Sequence, residues 1–128
     1  MNTVKLQAEL QLIADADVKQ LVAKEDSYNS SWKKRGGIGA FMMLGRKWDR
    51  IEAAAEANRW DIFDAIFQDK LHEEGVLDDI RDLRGYLMLV EHEICFNLLE
   101  ESHGTRYRKA NSSGSDSSGG SEPTGNAP

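Results

Sequence analysis

The sequence predicts an all-α domain followed by a disordered tail, and three observations lead to this fold class. Apolar residues recur at intervals of three and four along most of residues 4–98, which is the period of one helix face. The sequence has neither an alternation of β-branched residues nor an Asn-Gly or Asp-Gly turn, the patterns that would indicate strands. Residues 111–128 hold six Ser, four Gly and both prolines, a composition that cannot bury a core. We therefore expect a helical domain over residues 1–110 and a disordered tail over 111–128.

The first predicted helix covers Val4–Ala23, where the larger apolar residues follow a helical stripe. Residues Lys24–Gly39 interrupt the pattern with Asp, Ser, Asn and three glycines. Because these residue types favour turns and caps, we expect a loop there.

The second predicted helix covers Ala40–Asn58. Its apolar residues are spaced 3, 4, 3 and 4, as expected for one buried face: Phe41, Leu44, Trp48, Ile51 and Ala55. Asn58 is expected to end this helix in the left-handed conformation. Asp61 is expected to cap a short helix over Ile62–Asp69.

The last predicted helix is the longest and covers Val76–Ser102, with apolar residues at helical spacing from Leu77 to Leu98. Gly85 lies inside it. Glycine costs about 1 kcal/mol relative to alanine in a helix, which indicates close approach of another helix at this position.

Charge and cysteine content exclude several classes of protein. The net charge is −6, which disfavours a duplex-DNA binder that depends on clustered Lys and Arg. The single cysteine, Cys95, excludes an internal disulfide and a multi-thiolate zinc site and fits a reducing compartment. With no signal-peptide core and no apolar run near the ~18 residues of a membrane span, we expect a cytoplasmic protein with no membrane partner.

The size of the helical domain predicts self-association. About 110 residues allow only a modest core, and apolar stripes on three helices leave surface to cover. We therefore expect this domain to associate with further copies of itself.

Two pairs of acidic residues carry the strongest chemical signal. Asp49 and Glu52 stand three apart in the second helix, and Asp79 and Asp82 stand three apart in the last. Each pair flanks an apolar stripe, so packing of the stripes is expected to bring four carboxylates together. Such oxygen ligands suit Mg²⁺ or Mn²⁺. The alternative is a solvated face paired with neighbouring arginines, namely Arg46, Arg50, Arg81 and Arg84.

The segment Ser31–Gly39 combines cations, glycines and a tryptophan directly before the second helix. Lys33, Lys34 and Arg35, with the amides of a helix start, predict an anion cradle. Tyr28 and Trp32 are suited to stacking on a base. The alternative is a flexible basic loop in which Trp32 covers the core.

These residues together resemble a known family. Asp49-x-x-Glu52, a gap of 26 residues and Asp79-x-x-Asp82 resemble the E-x-x-E, spacer, E-x-x-D signature of the MazG-like all-α nucleoside triphosphate pyrophosphohydrolases. The runs Ser31–Gly37 and Arg46–Glu52, with Asp82-Leu83-Arg84-x-Tyr86, are similar to the MazZ-type branch found in phages whose DNA carries 2-aminoadenine. The resemblance covers residues 27–97.

The resemblance implies a MazG-like helical bundle that hydrolyses a deoxynucleoside triphosphate, chiefly dGTP, to the monophosphate and pyrophosphate. The product would supply 2-aminoadenine nucleotide synthesis in the host cytoplasm. Members of the family pair their helical hairpins, which implies a homotetramer, or a dimer. The resemblance implies Mg²⁺ or Mn²⁺ at Asp49, Glu52, Asp79 and Asp82, with Glu52 and Asp82 as catalytic residues. It implies substrate contacts by Tyr28, Trp32, Lys33, Lys34, Arg35, Lys47 and Tyr86. Asp49 and Asp79 stand where the family motif has glutamates, which shortens their reach by about 1 Å.

Two other functions stay open from the residues themselves. One is a helical adaptor that binds a protein or single-stranded nucleic acid through Trp32–Arg35 and the Tyr107 region. The other is a pool-cleaning pyrophosphatase that acts on dUTP or dCTP.

Overall fold

The computed structural model describes residues 2–69 and 75–99, apart from the side chains of Tyr28 and Asp69, and within these ranges it is helical with no strand. The all-α prediction is confirmed at this level. The predicted tail, residues 111–128, lies outside the described residues. The chain divides into two compact units, Met1–Val90 and Glu91–Pro128.

Helix α1 covers Thr3–Tyr28 and is five residues longer at its C-terminal end than predicted. The side chain of Asn2 caps its start by accepting from the N–H groups of Val4 and Lys5. Asn29 ends the helix in the left-handed conformation, with φ of 52°, and its N–H donates to the carbonyl of Glu25. Much of the predicted loop is therefore helix, and a single 3₁₀ turn, Ser31–Lys33, follows it.

Helix α2 covers Gly36–Ala57 and so begins four residues before the predicted start. The prediction for its end is wrong, because Asn58 has φ of −119° and is not left-handed. The side-chain amide of Asn58 instead donates to the carbonyl of Ala54 at 2.8 Å. Arg59 and Trp60 take the left-handed conformation, with φ of 61° and 64°.

Helix α3 covers Ile62–Asp69, as predicted. The carboxylate of Asp61 accepts from the N–H groups of Phe63 and Asp64, at 3.0 and 3.1 Å. This confirms the predicted cap.

Helix α4 covers Val76–His92, and a π-helical turn over Glu93–Leu98 follows it. The N–H of Leu99 donates to the carbonyl of Ile94 at 2.9 Å, five residues back. The predicted last helix is therefore helical from Val76 to Leu98, with π-type hydrogen bonding over Glu93–Leu98. Residues 100–102 lie outside the described residues.

Helices α1 and α4 approach closely at Gly85, which is buried. A Cβ added there would lie 3.1 Å from Cδ2 of Leu21. This is tighter than most real contacts, so the close approach predicted from Gly85 is confirmed.

The apolar core of the described residues is small. Its buried members are Ile51, Ala65 and Val76. The face predicted for α2 is only partly buried, since Phe41 is 68% exposed and Trp48 is 53% exposed. The helical period identifies the stripe correctly but does not determine which edge of it meets the neighbouring helices.

Candidate functional site

The acidic pair of α4 faces cationic side chains of α2. Asp79 is buried, and its Oδ1 accepts from Nε of Arg50 at 2.8 Å. The ammonium of Lys47 lies 2.9 Å from Oδ2 of Asp82 and 3.7 Å from Oδ1 of Asp79. One lysine is therefore shared between the two carboxylates, and it is itself largely buried, with 19% of its side chain exposed.

The acidic pair of α2 has a different position, because Asp49 and Glu52 are both exposed. On a helix, residues two apart point about 160° away from each other. Asp49 therefore points away from the direction of Lys47, and Glu52 points away from that of Arg50. The structure brings Asp79 and Asp82 together with two cations and does not bring Asp49 and Glu52 to them.

The fit of a metal ion follows from this arrangement. Among residues 2–69 and 75–99, no group of three or more His, Cys, Asp or Glu is arranged to hold a metal ion. The predicted convergence of four acids is thus not observed in this part of the chain. Asp79 and Asp82 supply carboxylate oxygens of the kind that Mg²⁺ and Mn²⁺ prefer. In this structure the charges of these carboxylates are balanced by Lys47, Arg50 and Lys24.

Helix α1 adds charged groups that meet α4 on another side. Arg84 donates from Nε and Nη2 to the two oxygens of Asp17, at 2.6 and 2.8 Å. These hydrogen bonds hold the pKa of Asp17 below its usual value and raise the pKa of Arg84. The ammonium of Lys24 lies 3.6 Å from Oδ1 of Asp82. Asp82 is thus held between cations of α1 and α2.

A small cavity, open to solvent, lies between α1, the 3₁₀ turn and α4. Asp82 and Lys24 line it, and so do Trp32 and Tyr86. Both aromatic side chains are half-buried. The cavity therefore has an aromatic region at Trp32 and Tyr86 next to a charged region at Asp82 and Lys24.

The structure gathers some of the predicted substrate-binding residues and leaves others apart. Trp32 and Tyr86 share the cavity with Asp82, and Lys47 contacts Asp82 from α2. The described residues that line the cavity do not include Lys33, Lys34 or Arg35. Lys34 and Arg35 are exposed between the 3₁₀ turn and α2, and Lys33 is half-buried. The side chain of Tyr28 lies outside the described part of the structure.

Several residues of this region were not predicted as functional, among them Lys24, Glu25, Ser31 and Arg50. Lys24, Glu25 and Ser31 fall in the segment predicted as a loop. The signal that was available is the run Lys24-Glu25, two strong helix formers that continue the first helix.

Comparisons with protein-family models, curated proteins and solved structures found no match to this chain. Within the described residues, no helix is both long enough and apolar enough to cross a membrane.

Proposed function

We propose that this chain hydrolyses a deoxynucleoside triphosphate to the monophosphate and pyrophosphate. One observation carries the proposal, which is that a single cavity presents Trp32 and Tyr86 beside the cation-flanked carboxylate of Asp82. Flat aromatic faces suit a nucleobase. Lysine ammonium groups suit phosphate oxygens. The motif resemblance to the MazG-like family supports the same reaction.

The two regions of the cavity have different tasks in this reaction. Trp32 and Tyr86 hold the base, and Lys24 binds the negatively charged triphosphate from within the cavity. Lys47 contacts Asp82 from α2 and adds a second positive charge beside the cavity. Water attacks phosphorus, the bond between the α and β phosphates breaks, and pyrophosphate leaves. Holding both ends of the substrate fixes the direction of that attack.

The proposed cofactor is Mg²⁺ or Mn²⁺, held by Asp79 and Asp82. When bound, such an ion supplies charge neutralisation at the phosphates and a more acidic bound water. The same two carboxylates contact the ammonium of Lys47. Lys47 would therefore bind a phosphate oxygen of the substrate beside them.

The proposal is tested by incubating the protein with each of the four common dNTPs and dUTP, with Mg²⁺ or Mn²⁺, and separating the products. We expect dGTP to react fastest and to give dGMP and pyrophosphate, with no reaction in EDTA. If dUTP or dCTP reacts fastest, the protein would instead be a pool-cleaning pyrophosphatase. No turnover of any nucleotide would refute the enzyme and leave the adaptor as the explanation.

We also propose that copies of this chain associate through α2. Its exposed apolar residues lie on one face around Gly45, where a Cβ would meet nothing within 4 Å. They are Ile38, Phe41, Met42 and Trp48. Asp49 and Glu52, four and seven residues after Gly45, lie on the same face. Few apolar side chains of the described residues are buried in one copy, so covering this face supplies burial that the single copy lacks.

The association is tested by light scattering after size-exclusion chromatography. We expect a dimer or tetramer for the native chain and a shift toward monomer for Phe41→Glu, because the change places a charge inside the contact. Phe63→Glu is the matched control, since Phe63 is 76% exposed on α3 and lies outside the proposed face. A native monomer, or equal dissociation by both variants, would contradict the proposal.

A further inference from the structure

The cavity contains an acidic side chain that the proposed reaction does not use. Glu25 lines the cavity together with Ser31 and Trp32. The hydroxyl of Ser30 donates a hydrogen bond to Oε2 of Glu25. This carboxylate is therefore held in place from the turn that follows α1.

The direction of the helices separates Glu25 from the charged region at Asp82. Leu12 and Leu77 line one groove, and Leu21 lies against Gly85, so α1 and α4 run in the same direction. The cavity follows α4 from Asp82 to Leu89, a rise of about 10 Å. Glu25 lies near the C-terminal end of α1, and so toward the Leu89 end, where Trp32 and Tyr86 also line the cavity.

We infer that Glu25, positioned by Ser30, is a specificity-determining residue that selects a guanine base. An ionised carboxylate only accepts hydrogen bonds. Guanine offers two adjacent donors on one edge, the ring N1–H and the 2-amino group. Adenine and cytosine place a ring nitrogen lone pair beside their amino group, and thymine has one donor between two carbonyls. Two charge-assisted hydrogen bonds to Glu25 are therefore formed by guanine alone.

The inference rests on the proposed function, in that the triphosphate occupies the Asp82 end and the base the Trp32 end. It goes beyond that function because it assigns the choice of base to one residue. A site that hydrogen-bonds a polar edge rejects bases that lack it far more strongly than a site that relies on shape.

The test compares Glu25→Gln with the native chain, with Asp26→Asn as control. Asp26 is the neighbouring acid, is exposed on α1 and is not among the described residues that line the cavity. The readout is the ratio of kcat/KM for dGTP to that for dATP, with dITP, which lacks the 2-amino group, as a third substrate. We expect Glu25→Gln to lower the dGTP-to-dATP ratio about 10- to 100-fold, as loss of hydrogen bonds to a charged group predicts. The control should keep the native ratio, and dITP should fall between dGTP and dATP.

Binding is measured separately so that the two proposals fail in different ways. Calorimetric titration with α,β-methylene dGTP and α,β-methylene dATP reports base selection without hydrolysis. Guanine-selective binding that Glu25→Gln removes supports the inference even if no nucleotide is hydrolysed. An unchanged dGTP-to-dATP ratio in an active Glu25→Gln variant overturns the inference and leaves the proposed hydrolysis standing. Binding without base preference by the native chain also overturns it.

Discussion

Replacing Asp82 by asparagine is expected to lower the rate of dNTP hydrolysis at least about 100-fold. The change removes one negative charge and almost no volume, so the cavity keeps its shape. It leaves Lys24 and Lys47 without the carboxylate that they share. It also removes one of the two acids proposed to hold the divalent cation.

Asp78→Asn is the matched control for this variant. Asp78 is also an acid of α4, four residues before Asp82, and its ion pair with Arg81 is 3.6 Å long and well exposed. We expect its activity to stay near that of the native chain. Circular dichroism establishes that both variants remain helical, and Mn²⁺ binding followed by electron paramagnetic resonance should weaken only for Asp82→Asn. Equal activity of the two variants would show that Asp82 is not part of the site.

The role of the exposed acids is decided by Glu52→Gln. If the four-acid motif operates as the family resemblance implies, this variant should lose activity as severely as Asp82→Asn. If the pair Asp79 and Asp82 suffices, Glu52→Gln should stay active. Its rate under the same Mg²⁺ concentration separates the two mechanisms.

Replacing Asp17 by asparagine is expected to lower the free energy of unfolding by about 2 kcal/mol. Asp17 is buried and receives two hydrogen bonds from Arg84, which links α1 to α4. The asparagine cannot accept both, and the guanidinium of Arg84 loses its counter-charge. Chemical denaturation measures the loss, and a cycle with Arg84→Met isolates the part that belongs to the pair.

The same pair predicts how stability depends on pH. The pKa of Asp17 is lowered in the folded state. Its ionised carboxylate therefore stabilises the fold at pH values above its pKa in the unfolded chain, which is near 4. That contribution is lost as the pH falls through the lower, folded pKa. We expect the stability of the native chain to decline more steeply below about pH 4 than that of Asp17→Asn. Parallel declines would show that the pair does not contribute.

The sequence predicts the helices well because their signals are local. The cap at Asp61 and the close approach at Gly85 depend on single residues whose physical reasons are known, and both are confirmed. The end of α2 could not be predicted in the same way. Asn58 is suited to the left-handed conformation, but its side-chain amide donates a hydrogen bond to the carbonyl of Ala54. Arg59 and Trp60 take the left-handed conformation instead.

The candidate site was predicted in part for a different reason. Asp49, Glu52, Lys47 and Arg50 all flank the same apolar stripe, two on each side. The period of the stripe does not say which side meets α4, because that depends on the rotation of the whole helix against its neighbours. In the structure, the side of α2 that carries Lys47 and Arg50 contacts α4. The cavity itself needed the unpredicted extension of α1, which brings Lys24 and Glu25 to it.

The small core of the single copy has a consequence for its response to temperature. The heat-capacity change of unfolding grows with the apolar surface that unfolding exposes. A single copy, in which the fully buried apolar residues among those described are Ile51, Ala65 and Val76, exposes less of it than an assembly that also covers the α2 face. Its stability curve should therefore be shallower than that of the assembly. Association through α2 would increase the heat-capacity change of unfolding. Calorimetry at rising protein concentration would therefore report the assembly of the copies.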